Sequence, residues 1–555
     1  MRLFALLALM ALPGLTPAQD RSQARSMTIS QRGIVATAHT LASQAGAQVL
    51  ALGGSAVDAA IAANAVLSLM EPMMNGPGGD LFALIWDAKT GKLTGLNASG
   101  WAPKKLSIEY LKTQGYNSMP SGIHTVTVPG CVEGWERLHK RFGKLPWKDL
   151  FKPAIFYAEN GFPVTELIQW DWDNASYKLQ GDENARAVLL PGGVAPKVGQ
   201  IFKNPQLGHT FRLIADLGAA AFYSGPIGEA LLKTSARLGG TMTAEDLREY
   251  KSEWVEPISS TYRDWNVFQL PPNGQGVGTL EMLNIIENFP ISDSVQTGAD
   301  ALHIKIEAQK LATQDLRRYV ADPRFSKIPT DGLLSKSYAK ERARMIDPKK
   351  ANCDAQPGQP PAGHNTTYLA VVDKDGNIAS WIQSISDIFG SGIAVEGMGF
   401  ILHDRGNGFS MEPGSPNALA PRKRPFHTII PGFMERGSEH VGFGIMRGMN
   451  QAQAQMQFVS NMADHGMNVQ MALEAPRFTR TTLGGCDVKI ENRVPEPVRQ
   501  ELIKRGHQLN VVGDYSGWMG GGQAVLHDSK TKVNYAGSSP RKDGSAIPEP
   551  DRYFH

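Results

Sequence analysis

A threonine hydroxyl is a weak nucleophile until a base sits beside it, and the free α-amino group of the same residue is such a base once that residue becomes a chain terminus. The amine titrates near about 8, which suits proton transfer at neutral pH. In this chain Thr366-Thr367 opens the apolar run Thr-Thr-Tyr-Leu-Ala-Val-Val. The run follows the most loop-like stretch of the sequence, Asp347 to His364, which holds Pro348, Pro357, Pro360 and Pro361. Such a loop can be cut while the strand behind it holds the new terminus rigid. The same pair also satisfies plain β-propensity at a strand start.

The elements that would position this threonine are readable from pattern. Thr366–Val372 and Ile378–Ile385 flank Asp373-Lys374-Asp375-Gly376-Asn377, which predicts a hairpin. A second hairpin is expected at Leu81–Trp86 and Lys92–Asn97, and a third at Gln523–His527 and Val533–Gly537. Apolar residues three and four apart predict helices over Asp300–Tyr319 and Gln451–Asp464. Sheets from distant segments layered with amphipathic helices give an α+β, layered architecture.

Composition excludes several classes. Lys plus Arg number 56 against 53 acidic residues, a net charge of +3, so neither nucleic acid nor an anionic membrane surface is implied as a partner. Met1 to Ala18 has one basic residue, a short apolar run and a small-residue end, as a secretory signal has. The run is too short to span a bilayer. Cys131, Cys353 and Cys486 lack the paired spacing of a zinc site and read as three structural thiols, one disulfide being the alternative. H-E-x-x-H and Walker motifs are absent, and Gly274-Gln275-Gly276-Val277-Gly278 reads as a tight turn.

Gly53-Gly54-Ser55-Ala56-Val57-Asp58-Ala59-Ala60, Asn75-Gly76-Pro77-Gly78-Gly79-Asp80, Asn365-Thr366-Thr367, Phe389-Gly390-Ser391-Gly392, Pro413–Pro421, Glu474-Ala475-Pro476-Arg477-Phe478 and Ser539-Pro540-Arg541 occur in one order along the chain. This series resembles the γ-glutamyltranspeptidase family. The resemblance implies the N-terminal nucleophile hydrolase fold, a four-layered αββα sandwich made as a precursor that cuts itself. The cut would fall between Asn365 and Thr366, leaving a signal at 1–18, a large subunit at 19–365 and a small one at 366–555. By position, Thr366 would be the nucleophile and Ser384 would match a family threonine whose hydroxyl bonds to it. Backbone N–H groups at Arg447-Gly448 would hold the oxyanion, where the family has a glycine pair. A positive φ at the first position would strain an arginine there.

The substrate contacts depart from the family pattern. Ser99-Gly100-Trp101-Ala102-Pro103 lacks the family's arginine for the glutamyl α-carboxylate, and His427-Thr428 replace its Ser-Ser pair. Ser386, Arg405 and Gly408 stand where Asn, Gln and Asp grip the α-amine, so an ammonium would face a guanidinium. Phe409-Ser410 runs almost directly into Pro413-Gly414, implying a shorter lid and a more open cleft. These departures resemble the branch containing cephalosporin acylases.

The first reading is therefore a periplasmic or secreted amidohydrolase acting on γ-glutamyl amides such as glutathione through a threonyl acyl-enzyme. The alternatives are an acylase for acidic acyl groups lacking the α-amine, of glutaryl or oxamate type, and a non-maturing binding protein on the same scaffold. Nucleophile, base and oxyanion donors all come from the chain, so no metal or organic cofactor is required. The expected partners are a small amide or peptide substrate and the chain's own two subunits.

Overall fold

The computed structural model describes residues 23–354, 365–482 and 484–551. The leader expected at residues 1–18 lies outside them. Two seven-stranded sheets form the centre. From edge to edge the first runs Ser545–Pro548, Ile34–Thr37, Asn365–Val372, Ile378–Ser386, Asp80–Asp87, Lys92–Ala98 and Glu253–Val255. The second runs Thr28–Ser30, Val533–Ser538, Gly522–Asp528, Glu439–Ile445, Gly432–Arg436, Trp265–Gln269 and Ile258–Tyr262.

Side-chain alternation along a strand assigns the layers. On Asn365–Val372, Tyr368, Ala370 and Val372 pack between the sheets with Phe82, Ile382 and Phe433. Leu369 and Val371 face outward into a core shared with Ala56–Met70 and Cys131–Phe142. Ala56–Met70 is buried along its whole length and starts at a reciprocal Ser55–Asp58 capping box. Gly276–Ile286, Ala299–Tyr319 and Asn450–Ala463 cover the outer face of the second sheet. The layers are thus helix, sheet, sheet, helix, as expected.

All three expected hairpins are present, at Asp80–Asp87 with Lys92–Ala98, Asn365–Val372 with Ile378–Ser386, and Gly522–Asp528 with Val533–Ser538. The middle turn forms because Asp373 Oδ1 accepts from the N–H groups of Asp375 and Asn377 while Gly376 takes φ +85°.

Two expectations need correction. Gly274–Gly278 is the expected tight turn only up to Gln275: from Gly276 it is the first turn of a buried helix. Cys353 and Cys486 are joined in a disulfide, leaving only Cys131 as a buried thiol. With a sequence separation of 133 and an odd cysteine count, spacing held no sign of that pairing. No helix among the described residues is long and apolar enough to cross a membrane.

Candidate active site

Thr366 lies where strand pairing is irregular. Asn365 faces Ser386 and Thr367 faces Gln383, so the register shifts across Thr366. Such a bulge re-aims a side chain out of the ladder. Thr366 Oγ1 donates to Ser384 Oγ at 3.3 Å and receives Gln451 Nε2 at 3.4 Å. Thr367 turns the other way and donates to Glu71 Oε2 at 2.6 Å, in a buried group where Lys542 Nζ lies 3.5 Å from Glu71 and 2.6 Å from Asp171. This anchors the strand start from the helical side.

Ser384 is the hub. Besides Thr366, its oxygen accepts the Ser386 N–H at 2.8 Å and Arg405 Nη2 at 2.9 Å. Ser386 holds φ +79°, an αL conformation that returns its N–H to the Ser384 oxygen. Gly79 permits the close strand approach here, since a Cβ on it would lie 2.4 Å from the Ser384 carbonyl oxygen.

Arg405 is fully buried, and its Nη1 donates to Thr428 Oγ1 at 3.0 Å. Its Nε has no partner among the described residues. Burial pulls the guanidinium down to about 10 against the charges of Asp80, Asp404 and Asp387, so it remains cationic at neutral pH. Those carboxylates act on it from beyond ion-pair distance, so beside the candidate nucleophile it is a cation whose direct partners among the described residues are hydroxyls. Gly408, the third of the expected α-amine positions, lies in the same short 3-10 turn.

His427 is arranged differently from Thr428. Its Nε2 lies 3.0 Å from Asp80 Oδ2 and its Nδ1 accepts from the Ile429 N–H at 3.4 Å. Both ring nitrogens are thus engaged within the protein. Burial, then the Arg405 charge, lowers His427 to about 3 despite Asp80. Burial alone would raise the Asp80 carboxyl, but the charge and hydrogen bond of His403 and the hydrogen bond of His427 hold it below the usual carboxylate range. Gly100 N–H at 3.0 Å and Gly130 N–H at 3.3 Å complete the Asp80 shell.

Arg447 adopts φ +93° and Gly448 φ +50°, so the arginine does occupy a backbone position suited to glycine. Its guanidinium leaves the site and lies 4.4 Å from the Trp518 ring centroid. Among the described residues the backbone N–H groups of Arg447 and Gly448 meet no protein acceptor. They directly precede Asn450–Ala463, the helix carrying Gln451, where the helix dipole favours negative charge. Gln275 fixes this corner, donating to the carbonyls of Thr428 at 2.6 Å and Gly448 at 2.8 Å.

Sequence reasoning missed Gln451, Gln275, Asp80 and His403 as members of this cluster. Gln451 could have been found, because it closes the segment Gly444–Gln451 that supplies Arg447-Gly448. The nucleophile itself has no opening to solvent over the described residues. Thr366 and Ser384 are fully enclosed, and Phe409, Met411 and Leu419 pack down on Ala102, Leu106 and Leu111.

His303, Glu307 and His507 bring ligand-type atoms within 4.8 Å of one another. Hydrogen bonds already use them: the two rings meet at 2.8 Å and Lys310 Nζ holds Glu307 at 2.6 Å. The positive charges of Lys310, Arg480 and Arg505 oppose a cation there.

A strand-borne threonine at the end of an αββα sandwich, with a hydroxyl neighbour and free N–H groups at a helix start, defines an enzyme of the N-terminal nucleophile hydrolase class. The sequence model described as gamma-glutamyltranspeptidase matches residues 42–549, and the chain belongs to that family. It is 35% identical over 525 residues to the glutathione hydrolase-like YwrD proenzyme of Bacillus subtilis, covering 94% of this chain and 99% of that one. It is 36% identical over 490 residues to the acylase ACY 1 proenzyme of a Pseudomonas strain, covering 86% and 87%. The crystal structure of cephalosporin acylase from Bacillus halodurans matches with TM-score 0.89 at 40% identity, over 98% of this chain and 100% of that one.

Proposed function

We propose that this chain is an exported, self-processing amidohydrolase that cuts itself between Asn365 and Thr366 and then uses Thr366 on amide substrates. The observation that carries the reading is the Thr366 hydroxyl held at a strand bulge between Ser384 and Gln451. In the first round Thr366 Oγ adds to the Asn365 carbonyl, the bond to the Thr366 nitrogen breaks, and an ester and a free amine result. Water then cleaves the ester. In each later round the freed amine takes the hydroxyl proton, Thr366 Oγ attacks the substrate carbonyl, and the N–H groups of Arg447 and Gly448 hold the oxyanion. The proton passes to the leaving amine, and an acceptor releases the acyl group. No step needs a metal.

Amides of γ-glutamyl type, glutathione among them, are the first acyl donors, in line with the glutathione hydrolase-like relative. A second reading, acyl groups that keep a carboxylate but lack the α-amine, is favoured by the guanidinium of Arg405, whose Nε has no partner among the described residues, with Thr428 beside it. It also agrees with the acylases among the relatives. Reducing denaturing electrophoresis with N-terminal sequencing tests the cut: the smaller fragment should begin Thr-Thr-Tyr-Leu. Thr366→Ala should remain one chain without turnover. A wild-type protein active as a single chain would refute the mechanism.

A further inference from the structure

Cys353 and Cys486 lie on opposite sides of the Asn365–Thr366 bond in the sequence and are bonded to each other in space. We infer that this disulfide joins the large and small subunits covalently once the chain has cut itself, an inference that rests on the cut proposed above. Before the cut it closes a loop within one chain; afterwards the same bond is an inter-subunit link.

The surroundings are built to bring the two sulfurs together. Ala351 N–H donates to the Arg505 carbonyl at 2.7 Å, and Arg505 Nη1 returns to the Pro348 carbonyl at 3.1 Å. Asn352 is gripped from both sides, its N–H by Glu307 at 3.1 Å and its carbonyl by Lys310 at 2.9 Å. Cys486 directly precedes the strand Asp487–Glu491, and its carbonyl accepts the Gln508 N–H at 2.8 Å. These contacts set the two Cα atoms 4.9 Å apart, within the span a disulfide requires. Cys131 is no competitor, being buried in the other helical layer with its thiol pushed up by burial.

Formation of the bond removes two protons and two electrons from the Cys353 and Cys486 thiols. A disulfide donor takes them and is itself reduced to a dithiol, so the link forms in an oxidising compartment. Breakage by a reductant reverses the balance. The link keeps the end of the large subunit attached to the small one at any dilution.

The test uses full-length protein produced by export and alkylated under denaturing conditions before electrophoresis. The expected result is one band without reductant and two with it, while Cys353→Ser gives two bands in both lanes. Two bands from the wild type without reductant would overturn the link while leaving the cut intact. One band in both lanes would overturn the cut, and the inter-subunit link with it. Unfolding provides a second measurement. The midpoint of the matured wild type should not depend on protein concentration, whereas that of Cys353→Ser should rise with concentration as for any two-chain assembly. A wild-type midpoint that shifts with concentration as strongly as the variant's would also refute the link.

Discussion

Replacing Ser384 by alanine removes one oxygen on which three donors converge. Thr366 Oγ1 at 3.3 Å, the Ser386 N–H at 2.8 Å and Arg405 Nη2 at 2.9 Å all meet it with no exposure to solvent. A hydrogen bond to a charged group contributes about 1.5–3 kcal/mol, and stranding a buried neutral donor costs about 1–3 kcal/mol. The free protein should therefore lose about 3–5 kcal/mol of stability. In the proposed mechanism the chemical step depends on the contact with Thr366, which would fix the direction of the attacking oxygen. Loss of about 2.7 kcal/mol of transition-state stabilisation corresponds to about a hundredfold in rate. The assay is single-turnover hydrolysis of a γ-glutamyl or glutaryl anilide by protein whose maturation has been verified on a reducing gel. Ser384→Thr, which keeps a hydroxyl, should retain most of the rate. Unchanged turnover in fully matured Ser384→Ala would remove Ser384 from the mechanism, however much stability was lost.

Glutaryl-anilide should be hydrolysed at least as well as γ-glutamyl-anilide if Arg405 binds the acyl group as proposed, since it would repel an α-ammonium and pair with a carboxylate. A hundredfold advantage for the γ-glutamyl compound would show that the amine has another partner. Arg405→Gln should shift the ratio of kcat/KM toward the γ-glutamyl substrate; the ratio cancels damage to Ser384 common to both. Arg447→Gly releases an αL strain of about 1–3 kcal/mol and forfeits about 0.5–1 kcal/mol of stacking on Trp518, so melting should rise slightly and turnover persist. A tenfold drop in kcat would mean that the guanidinium itself acts. Burial, first among the causes, lowers His39 to about 4 and His427 and His507 to about 3. The unfolded chain binds protons at these residues near about pH 6.5 while the folded one does not, so their contribution to stability is full above that pH and falls as pH drops toward 4. Each histidine contributes a slope of up to about 1.4 kcal/mol per pH unit, opposed by the buried carboxyls of Asp387 and Glu281, which burial raises. His39→Gln should therefore flatten the fall in unfolding free energy between about pH 6 and 4.5, and an unchanged slope in that variant would contradict the His39 contribution.

The sheet order was not visible in the sequence, but its hairpins were, because an Asp-Gly-Asn turn between two apolar runs is a local signal. Ser384 was placed beside Thr366 by the family resemblance, and the local hairpin that carries both is what brings them together. Asp80, His403 and His427 come from three separated segments, and only the packed sandwich brings them together. His427 was expected to face substrate because it fills a serine's place, yet a larger ring with two nitrogens finds protein partners that a serine cannot reach. Arg405 was legible as a charge and a position. That no carboxylate would pair with it directly depends on how far Asp80, Asp404 and Asp387 are held from it.

Both sheets combine segments from the two sides of the proposed cut. In the first, Ile34–Thr37 is hemmed between Ser545–Pro548 and Asn365–Val372, while Ile378–Ser386 lies against Asp80–Asp87. Neither product could complete a sheet alone, so folding must finish before Thr366 can meet Asn365 in reactive geometry. The cut then acts as a certificate of correct folding and makes the order of events one-way. After heating, the matured enzyme should regain its fold more slowly than uncut Thr366→Ala, because two chains held by one disulfide must now re-thread an arrangement that one continuous chain first laid down.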